Sequence, residues 1–301
     1  VDEKDWRRYL AGYHDARPGI TERLLRGTVR GGDGPGGGDA GAGAGSGSPY
    51  AWLAEPLRPL TGPVLDLACG SAPTRDLLPG ARWVGVDSSA GELAAAARLG
   101  RGPLVRGGAD ALPVATGGAA AVCASMCLPV LTPLPRVLGE VRRVLRPGGT
   151  LAALVPARAG PAPGSLRAPV RGAAGLLGWV RVMRALGVRS QPWPNPQARD
   201  GLGRVLRRAG FRVRADERRV FTLTLTSAED TDGLVDGLYL PGVTPRRADA
   251  AKRALARWVR PGRELPLPLR RVVATSGCAP SAGAPSAGAP SAGAPSARRP
   301  G

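Results

Sequence analysis

The sequence predicts an α/β fold built on a mostly parallel seven-stranded sheet with helices on both faces. Two observations carry that expectation. Between residues 50 and 275, short apolar runs alternate with stretches of helical periodicity, as in sheets whose parallel strands are joined by crossover helices. The hydrophobic content of 43% suffices for one core, because much of the 45 Gly and 31 Pro is confined to two low-complexity stretches.

Taken in order, residues 1–30 are polar with interspersed Trp6, Tyr9, Leu10, Tyr13, Leu24 and Leu25, which reads as a helical cap broken at Pro18-Gly19. Residues 31–49 are a Gly-rich flexible linker. Strands are expected at 63–67 and 82–86, the second ending at Asp87, with Ser88-Ser89 capping a helix over 91–99. Strands at 104–106 and 119–124 follow. Residues 136–145 place Val137, Leu138, Val141, Val144 and Leu145 on one helical face, Pro147-Gly148-Gly149 stop that helix, and 150–155 is the fifth strand. Helices over 173–186 and 201–209, a long or interrupted strand over 211–226, a helix near 247–259 and a last strand near 267–274 complete the domain. Segments 157–196 and 227–260 are its variable parts. From residue 276 the chain is a disordered tail that repeats Ala-Pro-Ser-Ala-Gly, a unit too short for a solenoid.

Composition excludes several chemistries. Four cysteines (Cys69, Cys123, Cys127, Cys278) and the single His14 cannot supply a zinc site at paired short spacings, so no metal is expected. The cysteine spacing does not suggest a secreted disulfide framework, and a reducing cytoplasm is the expected compartment. The longest apolar run, 119–131, is shorter than a membrane span, so no membrane partner is expected. The formal charge is +19, yet lysine occurs only at Lys4 and Lys252, leaving 40 of 42 basic residues as arginine in a chain rich in Ala, Gly and Pro. All four residue types have GC-rich codons, so part of that charge reads either as genome composition or as selection for an acidic partner.

The chemistry-bearing segment is Val64-Leu65-Asp66-Leu67-Ala68-Cys69-Gly70-Ser71-Ala72, with Asp87 ending the next strand 21 residues after Asp66. Small residues let the backbone turn tightly against a ligand, and a carboxylate about 20 residues on accepts hydrogen bonds from a ribose diol.

These residues resemble the class I S-adenosylmethionine-dependent methyltransferases, in particular their small single-domain subgroup. Leu65 to Ala72 match the family's first motif, Asp87 its second-strand acid, and Arg143 to Gly149 its Arg-x-Leu-Arg-Pro-Gly-Gly segment. Tyr13 to Glu22 look like the leading helix that covers the cofactor site in relatives. The resemblance implies a Rossmann-like sheet with an antiparallel final strand and S-adenosylmethionine as cofactor. It assigns the backbone of Ala68, Cys69 and Gly70 to the methionine, with Ala72 closing the motif and Asp66 beneath the turn. Asp87, followed by Ser88, would hold the ribose, while Ala111, Leu112 and Ser125 would line the adenine and sulfonium sides.

Three positions depart from the family pattern: Ala72 replaces the third glycine, Gly108 stands where an adenine-reading Asp is usual, and Ala120 replaces a further acid. Asp110, two residues later, is either a substitute for the missing Asp or a turn aspartate. Methyl transfer needs chiefly in-line positioning. A base helps only for hydroxyl or protonated amine acceptors, and His14 is the candidate, with Asp15 and Glu22 as acidic alternatives. No Asn-Pro-Pro-aromatic motif follows strand four, where Ser125-Met126-Cys127-Leu128-Pro129 stands, which favours a small-molecule O, N or C acceptor. Trp179, Met183 and Trp193 either line its pocket or pack on the sheet. Arg158, Arg167, Arg171, Arg181, Arg184 and Arg189 either bind an anionic acceptor or RNA, or form a solvated face. A nucleic-acid partner is the less favoured alternative, since aromatics are only 4% of the chain and are not interleaved with the arginines. A non-catalytic binding protein that kept the fold is a third reading. Oligomeric state is not read from the sequence.

Overall fold

The computed structural model describes residues 2–26, 28–30, 47–158, 169–259 and 264–277, with backbone alone at 29–30, 169–176 and 264. Most of the 31–49 linker, the tail beyond 277, Cys278, Arg167 and the side chain of Arg171 lie outside the described residues.

The described strands form one sheet: β1 (Thr28–Arg30), β2 (Pro63–Leu67), β3 (Arg82–Asp87), β4 (Leu104–Arg106), β5 (Ala119–Ser125), β6 (Leu145–Pro156), β7 (Phe211–Thr224) and β8 (Glu264–Ser276). Their spatial order is β1-β7-β8-β6-β5-β2-β3-β4. Strands β4, β3, β2, β5 and β6 pair in parallel, and β8 runs antiparallel between β6 and β7. The seven expected strands are all present, with β8 as the antiparallel final strand. The eighth, β1, pairs antiparallel with β7 (Val29 opposite Thr222), so the N-terminal segment is not wholly a helical cap but ends in the main sheet.

The helices are α1 (Glu3–Ala16), α2 (Ile20–Arg26), α3 (Pro49–Ala54), α4 (Ala90–Arg98), α5 (Leu134–Val144), α6 (Pro169–Leu186), α7 (Pro196–Arg208), α8 (Ala228–Asp236) and α9 (Pro245–Trp258). Two boundaries shift for local reasons. Ser48 caps α3, accepting from Ala51 N at 3.1 Å, which draws Pro49 out of the expected linker into a buried helix. Ser276 stays in β8 opposite Phe211, its hydroxyl donating to Arg146 O at 2.8 Å, and so is not part of the tail.

Because β2, β3, β5 and β6 are covered on both faces, they read as near-continuous apolar runs, with β5 (Ala-Ala-Ala-Val-Cys-Ala-Ser) buried along almost its whole length. Leu65, Leu67, Val122 and Leu151 pack under α5 and α7 on one face, whereas Val64, Cys123, Leu154 and Trp83 pack with α3 on the other. A third cluster joins α6, α8 and α9 to Leu223 and Leu265 at the far ends of β7 and β8. The order reverses at β2, whose neighbours are β3 and β5. Crevices at such reversals, outside the carboxyl ends of the strands, are where open α/β sheets bind ligands.

Candidate cofactor and acceptor site

A cavity of about 340 Å3 opens at this crevice, between the ends of β2, β3 and β5 and under α1. Its floor is the turn after β2. Ala68, Gly70 and Ala72 have φ of 51°, 55° and 59°, left-handed values that cost a non-glycine residue roughly 1–2 kcal/mol. The replacement of glycine by Ala72 therefore falls at a position that does require a positive φ.

Two carboxylates hold this turn. Asp87 accepts from Gly70 N at 2.8 Å and from Ser89 N at 2.9 Å, so one side chain ties the β2 turn to the start of α4. Asp66, 1% exposed, accepts from the Thr74 hydroxyl, which in turn accepts from Trp83 Nε1 at 3.2 Å. Burial, opposed by the Thr74 hydrogen bond and reinforced by the neighbouring charge of Asp87, pushes the Asp66 carboxyl up to about 7. Burial likewise raises Asp87, against the two backbone hydrogen bonds. The Ser125 hydroxyl, at the end of β5, is buried on the cavity wall with no hydrogen-bond partner among the described residues.

Helix α1 covers the cavity. Trp6 Nε1 donates to Val130 O at 2.7 Å, and Arg7 Nη2 lies 3.3 Å from Asp110 Oδ2. Asp15 accepts from Ser89 Oγ at 2.7 Å and Gly91 N at 3.1 Å. His14 Nδ1 is 2.9 Å from Glu92 Oε1, and its Nε2 is 3.1 Å from the Tyr239 hydroxyl. Below α1, Glu22 of α2 accepts from Ser71 Oγ and from Arg101 Nη1 at 2.8 Å, while Arg101 also bonds Ser71 O at 2.7 Å and Asp76 Oδ2 at 2.6 Å. Burial opposes the charge of Glu22, but these donors hold its carboxyl below the usual range.

Of the sequence-predicted residues, His14, Asp66, Ala68, Cys69, Gly70, Asp87, Ser88, Asp110 and Ser125 line the cavity. Three do not. Ala72 turns into the apolar layer with Trp83, and Leu112 lies in the core beneath α5, its N–H donating to Glu140 Oε2 at 2.8 Å. Ala111 is exposed outside the cavity, and Gly108, Ala109 and Asp110 stand in that stretch of wall instead. A Cβ at Gly108 would lie 2.9 Å from Asp110 Oδ1, so the Asp110 carboxylate fills the space that a side chain at 108 would take. Asp15 and Glu22 are occupied in tying α1 and α2 to the body. Trp179 and Met183 pack in the α6–α8–α9 cluster, with Trp179 Nε1 donating to Pro266 O at 2.9 Å, and Trp193 stacks under Arg199; none lines the cavity. Arg158, like them away from the cavity, pairs with Asp200 at 3.0 Å.

Arg7, Glu92 and Tyr239 also line the cavity without being marked as site residues in the sequence. Ser89-x-x-Glu92 has the spacing of a capping box, and Ser89 Oγ does accept from Glu92 N at 3.1 Å, but the Glu92 carboxylate faces His14 and Gly19 N instead of closing the cap. Tyr239 lies in the connection between α8 and α9, and no local signal marks it. Among the described residues no cluster of His, Cys, Asp and Glu could hold a metal, and no helix is long and apolar enough to cross a membrane.

The family model for a methyltransferase domain matches residues 65–153, from β2 through β6. Residues 65–153 thus match a methyltransferase domain. The matched segment contains the β2 turn, Asp87, Asp110 and Ser125. Among solved structures, the [4+2]-cyclase SpnF superposes with a TM-score of 0.53 at 17% identity, covering 90% of this chain and 96% of its own, a likeness of fold. A methyltransferase-like protein from Bacillus halodurans gives a TM-score of 0.47 at 16% identity over 76% of this chain and 99% of its own. No curated protein matches the sequence. The methyltransferase domain thus rests on the family match, while the SpnF likeness extends the fold beyond the matched residues, over most of the chain.

Proposed function

We propose that the cavity binds S-adenosylmethionine and that the protein moves a methyl group to an O, N or C nucleophile of a small molecule. The observation that carries this is the pairing of the turn Ala68–Gly70 with Asp87 and Asp66 at the switch point of the sheet, under α1. The volume lies within the usual 300–1,000 Å3 of small-ligand sites. The residues present fit the cofactor: buried carboxylates that can meet an ammonium and a ribose diol, a buried hydroxyl in want of a partner, and an acidic group at Asp110 where the adenine amino group would be read.

In this reading Asp66 and the backbone of Ala68, Cys69 and Gly70 hold the methionine end, Asp87 and Ser88 the ribose, and Gly108, Ala109 and Asp110 the adenine edge. Ser125 lines the sulfonium side. The cofactor supplies an activated methyl group. The chain supplies orientation, and α1 keeps the reacting groups dry. Acceptor contacts fall to the cap and to the 227–260 segment, which brings Tyr239 to the wall, and not to Trp179, Met183 or Trp193.

The SpnF likeness keeps a second reading in view, because a protein described as a cyclase shares the fold. Transfer of label from methyl-tritiated S-adenosylmethionine to a cell extract fractionated into RNA, protein and small molecules separates the readings. Label in the small-molecule fraction is expected; label confined to RNA or protein overturns the acceptor class.

A further inference from the structure

We propose that Glu92, His14 and Tyr239 form a proton relay whose outer member, Tyr239, takes the proton of the methyl acceptor, so that the acceptor is an alcohol or phenol. This rests on the methyl-transfer reading above and deepens it.

The three side chains come from separate elements: Glu92 from the first turn of α4, His14 from α1, and Tyr239 from the α8–α9 connection. All three line the cavity. Glu92 is 2% exposed, and its Oε2 accepts from Gly19 N at 2.8 Å while its Oε1 faces His14 Nδ1 at 2.9 Å. A carboxylate only accepts, so Nδ1 carries a ring proton, and in the neutral ring Nε2 then presents its lone pair to the Tyr239 hydroxyl, 3.1 Å away. The order is that of a catalytic triad, in which a buried carboxylate fixes the tautomer of an imidazole that accepts from a hydroxyl. Tyr239 is held on its other side by Tyr13, with ring centroids 4.8 Å apart, and by Trp6 at 6.4 Å. Burial raises the Tyr239 phenol, which therefore keeps its proton at rest and acts by passing it on.

The chemistry selects the acceptor. A carboxylate needs no deprotonation and an amine can enter as the neutral fraction already present in water, whereas an alcohol or phenol holds its proton and gains nucleophilicity only as that proton leaves. In the step, the acceptor proton passes to the Tyr239 oxygen as the Tyr239 proton passes to His14 Nε2. The acceptor oxygen bonds the methyl carbon, and the carbon–sulfur bond of the S-adenosylmethionine co-reactant breaks with its electron pair remaining on sulfur. The imidazolium, paired with Glu92, afterwards returns its proton to solvent.

His14 is the only histidine, so nitrogen-15 histidine labelling reports on it without assignment. In the intact wild-type chain, two-bond proton–nitrogen couplings are expected to show the Nδ1-protonated tautomer, and Glu92→Gln to lose that preference. A wild-type Nε2-protonated ring overturns the relay. In parallel, label from methyl-tritiated S-adenosylmethionine is followed into the small molecules of an extract. Methyl ethers are expected, with Tyr239→Phe reducing transfer about 100-fold or more while the S-adenosylmethionine Kd stays within about twofold. N-methyl products, cofactor binding without transfer to any hydroxyl compound, or a Tyr239→Phe defect in cofactor binding alone each overturn the proposal. Wild-type protein that fails to bind S-adenosylmethionine overturns the underlying reading instead, and the tautomer still judges the relay.

Discussion

Asp66 combines full burial, one hydroxyl donor and a carboxylate neighbour, and its behaviour with pH follows from those contacts. Its carboxyl titrates near 7 in the folded chain, against about 3.9 when unfolded. The folded value is raised, so the contribution to stability is complete below about pH 4 and is lost as pH rises through 7. Urea unfolding is therefore expected to show the wild type losing about 2 kcal/mol more than Asp66→Asn between pH 5 and pH 8. Equal pH dependence of the two proteins would contradict the assignment. The amide can still accept from Thr74, so the variant keeps the turn. Asp66 and Asp87 were legible in the sequence because strand-ending acids about 20 residues apart have a local signature. Glu92 and Tyr239 were not: the spacing Ser89-x-x-Glu92 signifies a helix cap, and only the fold turns that carboxylate toward His14 and carries Tyr239 to the same wall.

Elements were legible to the degree that periodicity specified them. Helix α5 and strands β2 to β5 fall within about two residues of expectation, since their apolar faces repeat without interruption. Strand β6 is longer than expected because the Pro147-Gly148-Gly149 stop remains on the ladder across a bulge against Ala119–Ala121. Short α3 and β1 have too few residues for any period to show, and α8 lies in a segment expected only to be variable, although Ser227 and Asp230 form a full capping box. The attachment of α2 is the element whose energetics are most exposed to test. Arg101, with its side chain 3% exposed, joins Glu22 of α2 to Ser71 of the turn after β2 and to Asp76. Removing one partner of a buried pair leaves the other uncompensated, at a cost of about 3–5 kcal/mol. Arg101→Met is expected to lose that much in urea unfolding, and the Glu22→Gln, Arg101→Met double variant to recover about half of it. A single variant within about 1 kcal/mol of wild type would show that α2 is held by other contacts.

For the whole molecule, the charge of +19 first suggests an acidic polymer as partner. The structure keeps that excess off the site: among the described residues Arg7 is the one arginine on the cavity wall, and Arg101, Arg143, Arg199, Arg270 and Arg271, each paired with an acid, do not line it. The groups that bear on chemistry are acidic, Asp66, Asp87, Glu92 and Asp110 around one cavity, and suit a cationic nucleoside. Calorimetric titration of the intact chain with S-adenosylmethionine tests that claim most directly. Saturable one-to-one binding is expected, weakened about ten- to hundredfold by Asp87→Asn through loss of a charge-assisted hydrogen bond. Absence of binding at millimolar S-adenosylmethionine, or an Asp87→Asn protein that binds as tightly as wild type, would contradict the account.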